Sequence, residues 1–175
     1  MKEKYKPLLV AVMTFTLMLN VVTFLAGRAR RDTRADTSPR AVAARLEVKG
    51  CRVEMLAPRP GNTVGPTGVV DGTASIPEGT YLWVLDRRKS MNRWWPQGGG
   101  PARIEQGKWS VSVRYGTERD RGGELYFAAV VVDAGVHQQL EQWVVEAPQR
   151  GYRSIRFPET LPGCEIQMVA VRREP

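Results

Sequence analysis

Pro7 to Ala26 reads PLLVAVMTFTLMLNVVTFLA, a run of twenty residues without a charged side chain. At about 1.5 Å of rise per residue, a helix of that length reaches roughly 30 Å, the hydrocarbon thickness of a bilayer. An amphipathic helix on a soluble core turns polar residues to water along a whole face. Here the polar side chains are limited to Thr14, Thr16, Asn20 and Thr23. With Gly27, the run predicts a single N-terminal transmembrane helix over residues 7–27, preceded by a short basic tail over residues 1–6. It is longer than the apolar stretch of about 7–15 residues in a cleaved secretory signal. Its exit, Leu25-Ala26-Gly27-Arg28, offers no good cleavage site, and no cysteine closes the run for lipid attachment. The expectation is a retained, single-pass anchor held by the lipid bilayer.

Thr16, Asn20, Thr23 and Gly27 recur at helical spacing and share one face of that segment. In lipid, such a face can pair helices through hydrogen bonds and close approach, which makes it a candidate surface for self-association. Alternatively, each Thr satisfies its hydroxyl on its own preceding turn. Lys2, Lys4 and Lys6 precede the segment, while Arg28, Arg30, Arg31 and Arg34 follow it. The positive-inside count leans towards a cytoplasmic C-terminal domain, whereas a tail too short to need translocation leans the other way.

The formal charge of +8 invites a nucleic-acid reading. Its distribution argues against one. Residues 1–50 hold ten Lys/Arg against four Asp/Glu, and residues 51–175 hold sixteen against fourteen. The basic excess sits beside the apolar run, and a duplex-binding fold carries its charge on the folded face. Residues 28–45, RARRDTRADTSPRAVAAR, form a basic linker without aromatics, a composition that reads as a solvated tether.

Residues 46–175 are long enough for one hydrophobic core. Trp109 to Tyr115 alternates strictly, with Trp109, Val111, Val113 and Tyr115 on one side and Ser110, Ser112 and Arg114 on the other. A period of two marks a half-buried strand. Leu125 to Val132 is continuously apolar, as a strand buried on both faces would be. Further strands are expected over 52–56, 69–76, 80–86, 153–157 and 164–172, punctuated by Gly and Pro. Seven or so short strands at this spacing predict a mainly β fold, an immunoglobulin-like β-sandwich. Val136, Leu140, Trp143, Val144 and Ala147 fall on one helical face. They predict one short amphipathic helix ended by Pro148, with a strand over 142–146 as the alternative.

Cys51 shares a strand face with Val53 and Met55, and Cys164 with Ile166 and Met168. Both therefore point inward from the first and last strands. A disulfide between them would imply an oxidising compartment and tip the domain to the extracytoplasmic side. Two buried free thiols are the other outcome.

Several strings together carry a resemblance: Val70-Asp71-Gly72-Thr73-Ala74, Leu82-Trp83-Val84-Leu85, Arg93-Trp94-Trp95-Pro96-Gln97-Gly98, Gly107-Lys108-Trp109 and Phe127 to Asp133. The chain resembles bacterial membrane-tethered immunoglobulin-like or fibronectin-like sandwich modules over residues 54–173. The resemblance implies a binding or spacer unit without catalytic residues. It implies fold more than function, since one fold hosts many roles.

Chemistry-bearing patterns are sparse. His137, the one histidine, falls on the polar side of the expected helix and reads as a surface residue. Two isolated cysteines give no zinc spacing. The Gly98-Gly99-Gly100 run lacks the Lys-Ser/Thr of a phosphate cradle. No cofactor, no metal and no catalytic residue is expected. The best candidate for binding is the loop 86–101, where Arg87, Arg88 and Arg93 accompany Trp94 and Trp95. Adjacent residues of an extended segment face opposite ways, so at most one of these tryptophans can enter a core. An exposed Trp flanked by Arg is hot-spot composition for a protein partner. It could instead stack on a sugar, or both rings could simply pin the loop. Trp83, Trp109 and Trp143 lie on periodic faces and are expected in the core. The functional expectation is a membrane-anchored, non-enzymatic binding or structural subunit acting through protein contacts in a cell-envelope complex. The alternatives are a carbohydrate-binding surface module, or a cytoplasm-facing accessory domain of a signalling system.

Overall fold

The computed structural model describes residues 50–175. The expected basic tail, transmembrane helix with its Thr16, Asn20, Thr23 and Gly27 face, and linker lie outside the described residues. Among the described residues, no helix is long and apolar enough to cross a membrane.

The domain is mainly β. Its strands are β1 (Arg52–Ala57), β2 (Thr63–Val64), β3 (Thr67–Ser75), β4 (Tyr81–Arg88), β5 (Trp95–Pro96), β6 (Ile104–Glu105), β7 (Lys108–Arg114), β8 (Glu124–Val132) and β9 (Gln167–Arg173). They form two sheets, ordered β1-β3-β7-β6 and β2-β9-β8-β4-β5. Neighbours run antiparallel except β2 and β9, which pair in parallel. The facing sides share one apolar core, in which Val70, Val111 and Val113 of the first sheet join Leu82, Val84, Phe127 and Val171 of the second.

The alternation in β7 does what its period requires. Trp109, Val111 and Val113 are buried, and the residues between them are exposed. The continuous apolar run of β8 has a different cause. Leu125, Phe127, Ala129 and Val131 enter the core between the sheets. Ala128, Val130 and Val132 enter a second cluster with Trp83, Leu85, Trp94 and Leu140. This strand lies inside its sheet, between β9 and β4, so both of its faces are covered and neither can be polar.

The second cover is α1 (Ala134–Arg150). Asp133 caps it, its carboxylate accepting from the Val136 N–H at 2.8 Å. The helix buries Leu140 and Ala147 and lays Val136 and Val144 against the same cluster. The segment 142–146 is helical throughout. Pro148 does not end the helix, which continues to Arg150 and closes at Gly151 with φ of 68°. A proline forfeits its own N–H bond and crowds the carbonyl four residues before it, and Pro148 sits in the last turn, with two residues remaining before the cap. The Ala147 carbonyl receives both the Gly151 and Tyr152 N–H groups, which closes the helix.

The segment 153–157 is not a strand. It meets β5's flank at one bridge, Trp94 with Ile155, through two backbone bonds of 3.0 and 2.8 Å. Phe157 then packs on the Trp94 ring at 4.9 Å, so side-chain packing takes over from the ladder. The last strand begins at Gln167 rather than Cys164, because a turn closed by the Cys164 N–H on the Leu161 carbonyl precedes it. Ile166 and Met168 are therefore exposed rather than inward, and Val169 and Val171 face the core.

Cys51 and Cys164 are joined as a disulfide, with Cα atoms 5.2 Å apart. Both pack against the edge of the core between the sheets. At Gly72 the core needs a residue with no side chain. A Cβ there would sit 1.8 Å from the Glu54 carbonyl oxygen and 2.9 Å from the Trp109 ring. Beside it, the pairing of β1 with β3 slips between Met55 and Ala57.

Candidate functional site

Most of the Arg–Trp loop is tied down rather than displayed. Trp94 is buried, at 4% exposure. The Arg87 guanidinium lies over the Trp94 ring at 5.2 Å and the Tyr126 ring at 4.4 Å. It donates to the carbonyls of Arg88, Lys89 and Met91, the last at 2.9 Å. Arg93 donates to the Ser154 carbonyl at 2.7 Å and to its hydroxyl at 3.3 Å. Arg87, Arg93 and Trp94 therefore fasten the loop to the sheet and to the segment after α1. Of the five residues singled out in this loop, Arg88 and Trp95 are the two that line a cavity.

That cavity is a cleft of about 780 Å³ between the loop, the end of β7 and the C-terminal turns of α1. Its size falls within the usual range of small-ligand sites, about 300–1,000 Å³. Trp95, Trp143 and Tyr152 supply aromatic walls. Their polar handles are largely committed, since Trp95 Nε1 donates to the Tyr152 carbonyl at 2.8 Å and Trp143 Nε1 to the Arg153 carbonyl at 2.7 Å. The Trp143 and Tyr152 rings meet edge to face, 66° apart with centroids at 6.3 Å, and the Arg88 guanidinium lies over the Trp95 ring at 5.9 Å. Tyr152 is 59% exposed.

The polar floor comes from a row of alternate residues on β4. Leu82 and Val84 point into the core, and by the same period Asp86 and Arg88 follow them into the cleft. Asp86 is 5% exposed. Its Oδ1 accepts from Gln97 Nε2 at 2.8 Å, while Gln97 Oε1 accepts the Arg114 backbone N–H at 3.1 Å. Gln97 thus links the two sheets. Burial pushes the Asp86 carboxyl up from 3.8 to about 7; the Gln97 bond opposes the rise and the Asp120 charge adds to it.

Asp120, on a single turn of 3-10 helix (Glu118–Asp120), is the partner of Arg88. Its Oδ2 also accepts from the Thr117 N–H at 2.6 Å, the Thr117 hydroxyl at 2.8 Å and Arg88 Nη2 at 3.0 Å. Burial alone would raise its carboxyl. The Thr117 and Arg88 bonds outweigh that and hold it below its ordinary value. Two acids in one cleft are thus driven apart, one by lost water and one by donors.

Two expectations change here. Trp143 does not join the core; it is half-buried and walls the cleft, because α1 turns Leu140 and Ala147 inward and leaves Trp143 at the flank. His137 is not a surface residue. Its side chain is 12% exposed, stacks on Tyr81 with centroids 3.5 Å apart and accepts the Trp83 indole N–H on Nδ1 at 3.3 Å. An aromatic pair under the first turn of α1 draws the imidazole in. It is not among the residues lining the cleft.

The sequence reading missed Asp86, Gln97, Asp120 and Tyr152. The one available signal was an acid closing the otherwise apolar string Leu82 to Leu85. No group of acidic, histidine and cysteine side chains suited to a metal ion occurs among the described residues. Compared with protein-family models and with curated proteins, the chain matches none.

Proposed function

We propose that the chain is a membrane-anchored, non-enzymatic binding subunit of the cell envelope, with this cleft as its contact surface. The observation that carries the reading is a preformed, aromatic-walled cleft in which Arg88 and both acids already have partners within the protein. Arg88 answers Asp120 and Gln97 answers Asp86, which suits holding a ligand better than activating one. A general acid–base pair needs oxygens free to meet a substrate, and Asp120 has its oxygens taken up by Thr117 and Arg88.

We propose further that the sandwich is immunoglobulin-like. One sheet ordered β1-β3-β7-β6 faced by another ordered β2-β9-β8-β4-β5 is compatible with an immunoglobulin-like arrangement. The disulfide supports a domain outside the cytoplasm, and the uncharged run over residues 7–26 supports the anchor. The test places a photo-cross-linking residue at Gly99 or Tyr152 in the full chain in cells, with Ser110 on the exposed face of β7 as the control. Adducts, whether to protein or to glycan, concentrated at the two cleft positions are expected. Equal or absent labelling at all three overturns the reading. A membrane-impermeant maleimide, applied with and without reduction, checks the compartment: labelling of Cys51 and Cys164 in intact cells should require both reduction and denaturation.

A further inference from the structure

Resting on the binding-module reading, we infer that the ligand class of the cleft is an uncharged saccharide chain, a hexose or N-acetylhexosamine oligomer. A pyranose ring presents an apolar C–H face and an edge of hydroxyls that both donate and accept. It therefore needs a flat apolar platform bordered by groups of both hydrogen-bonding senses. The cleft supplies both. Trp95, Trp143 and Tyr152 line it. Tyr152, 59% exposed, meets Trp143 edge to face, Trp95 carries the Arg88 guanidinium over its ring, and the two indole N–H groups are already spent on the backbone at Tyr152 and Arg153.

The border is mixed. Gln97 keeps one amide hydrogen and one lone pair beyond its bonds to Asp86 and Arg114. Asp86 keeps its Oδ2, and Ser112 adds a hydroxyl at the rim. A carboxyl that burial brings to about 7 can meet a sugar hydroxyl as donor or acceptor near neutral pH.

Charge selects against the rivals. The Arg88 guanidinium lies 5.9 Å from the Trp95 ring centroid and Arg114 also lines the cleft, so a cationic side chain seeking an aromatic cage meets two like charges. An anion meets Asp120 and the fraction of Asp86 that is ionised, and since Arg88 is already engaged with Asp120, Arg114 is the lining cation left to face it. A neutral ligand rich in hydroxyls gains from every group present and opposes none.

The experiment titrates the full chain, in a zwitterionic detergent free of sugar headgroups, with cellotetraose and with tetra-N-acetylchitotetraose. A tetragalacturonate serves as the acidic comparison. The readouts are tryptophan fluorescence and calorimetry. Saturable binding of at least one neutral tetramer is expected, with the acidic one weaker. Trp95→Ala and Tyr152→Ala should each weaken it roughly tenfold, the loss of one aromatic face. Tyr152 is exposed enough for its truncation to leave folding intact, so the pair stays informative if Trp95→Ala destabilises the chain. No saturable response to either neutral tetramer overturns the inference, as does binding unchanged in both variants. Silence towards sugars alongside a protein adduct at Gly99 or Tyr152 in cells overturns the saccharide assignment and leaves the binding module standing. Silence in both assays removes both.

Discussion

Replacing Asp86 by Asn should make the domain more stable at alkaline pH while leaving it nearly unchanged in acid. The carboxyl ionises at 3.8 in its ordinary state and at about 7 in the fold, chiefly because burial removes its water. A folded value raised above the unfolded one means that the native state holds a proton which the unfolded chain has released. Stability is therefore fully present below pH 3.8 and declines as pH rises towards about 7. At about 1.4 kcal/mol for each pH unit, the decline amounts to about 4 kcal/mol. Asn is uncharged throughout, and its carbonyl can still accept from Gln97. Asp120 contributes with the opposite sign. Its folded value is lowered, so its contribution is present above its ordinary range and lost as pH falls through the lower folded value, outside the Asp86 window. The assay is urea unfolding of the full chain in detergent from pH 4 to pH 8, followed by tryptophan fluorescence. All five tryptophans lie between residues 83 and 143, so the signal reports this domain alone. Wild type and Asp86→Asn should agree within about 1 kcal/mol at pH 4 and diverge by about 3–4 kcal/mol at pH 8. Parallel curves, or a variant less stable at pH 8, would refute the reasoning.

Reduction of the disulfide, or Cys51→Ala with Cys164→Ala, reopens a loop spanning 113 positions; on the chain-entropy model the urea midpoint should report a loss of about 4–5 kcal/mol. Trp94→Ala should cost about 3–5 kcal/mol, as truncation of a buried aromatic does. The half-buried Trp95→Ala should cost under about 2 kcal/mol in the same unfolding assay. Gly72→Ala forces a Cβ onto the Glu54 carbonyl and should unseat β1, with a loss above about 3 kcal/mol. Gly100→Ala meets nothing within 4 Å and should change the midpoint little.

Local periods made much of this fold readable. β7 shows its half-burial because Ser and Arg alternate with Trp and Val, and β8 shows its double cover because no polar residue interrupts it. Parity places Cys51 inward beside the buried Val53, and Cys51 is joined to Cys164. Parity fails for Cys164 itself: it precedes β9, and its expected face-mates Ile166 and Met168 are exposed. The rule that adjacent residues face opposite ways also describes Trp94 and Trp95, one buried and one at the cleft. What depends on distant partners was not readable. Asp86 looks like a strand boundary until Gln97, eleven residues on, is seen to hold it. Arg88 looks like a free cation until Asp120, thirty-two residues on, comes beside it. His137 was read by its polarity, whereas its position was set by Tyr81 and Trp83 on a strand far away in sequence.

β1 is an edge strand, paired on one side only, with β3. Such a strand is open to unzipping from its free end, one backbone pair at a time. The Cys51–Cys164 bond lies directly before Arg52, the first residue of that strand. A pull arriving along the chain from residue 50 therefore reaches a covalent fork before it reaches any ladder of hydrogen bonds. The load divides between β1 and the segment leading into β9, which sit in different sheets. The bond carries part of the load past the β1–β3 ladder to the segment before β9, so β1 is not peeled from its free end alone. Against tension, the domain is a clamp closed at its entrance.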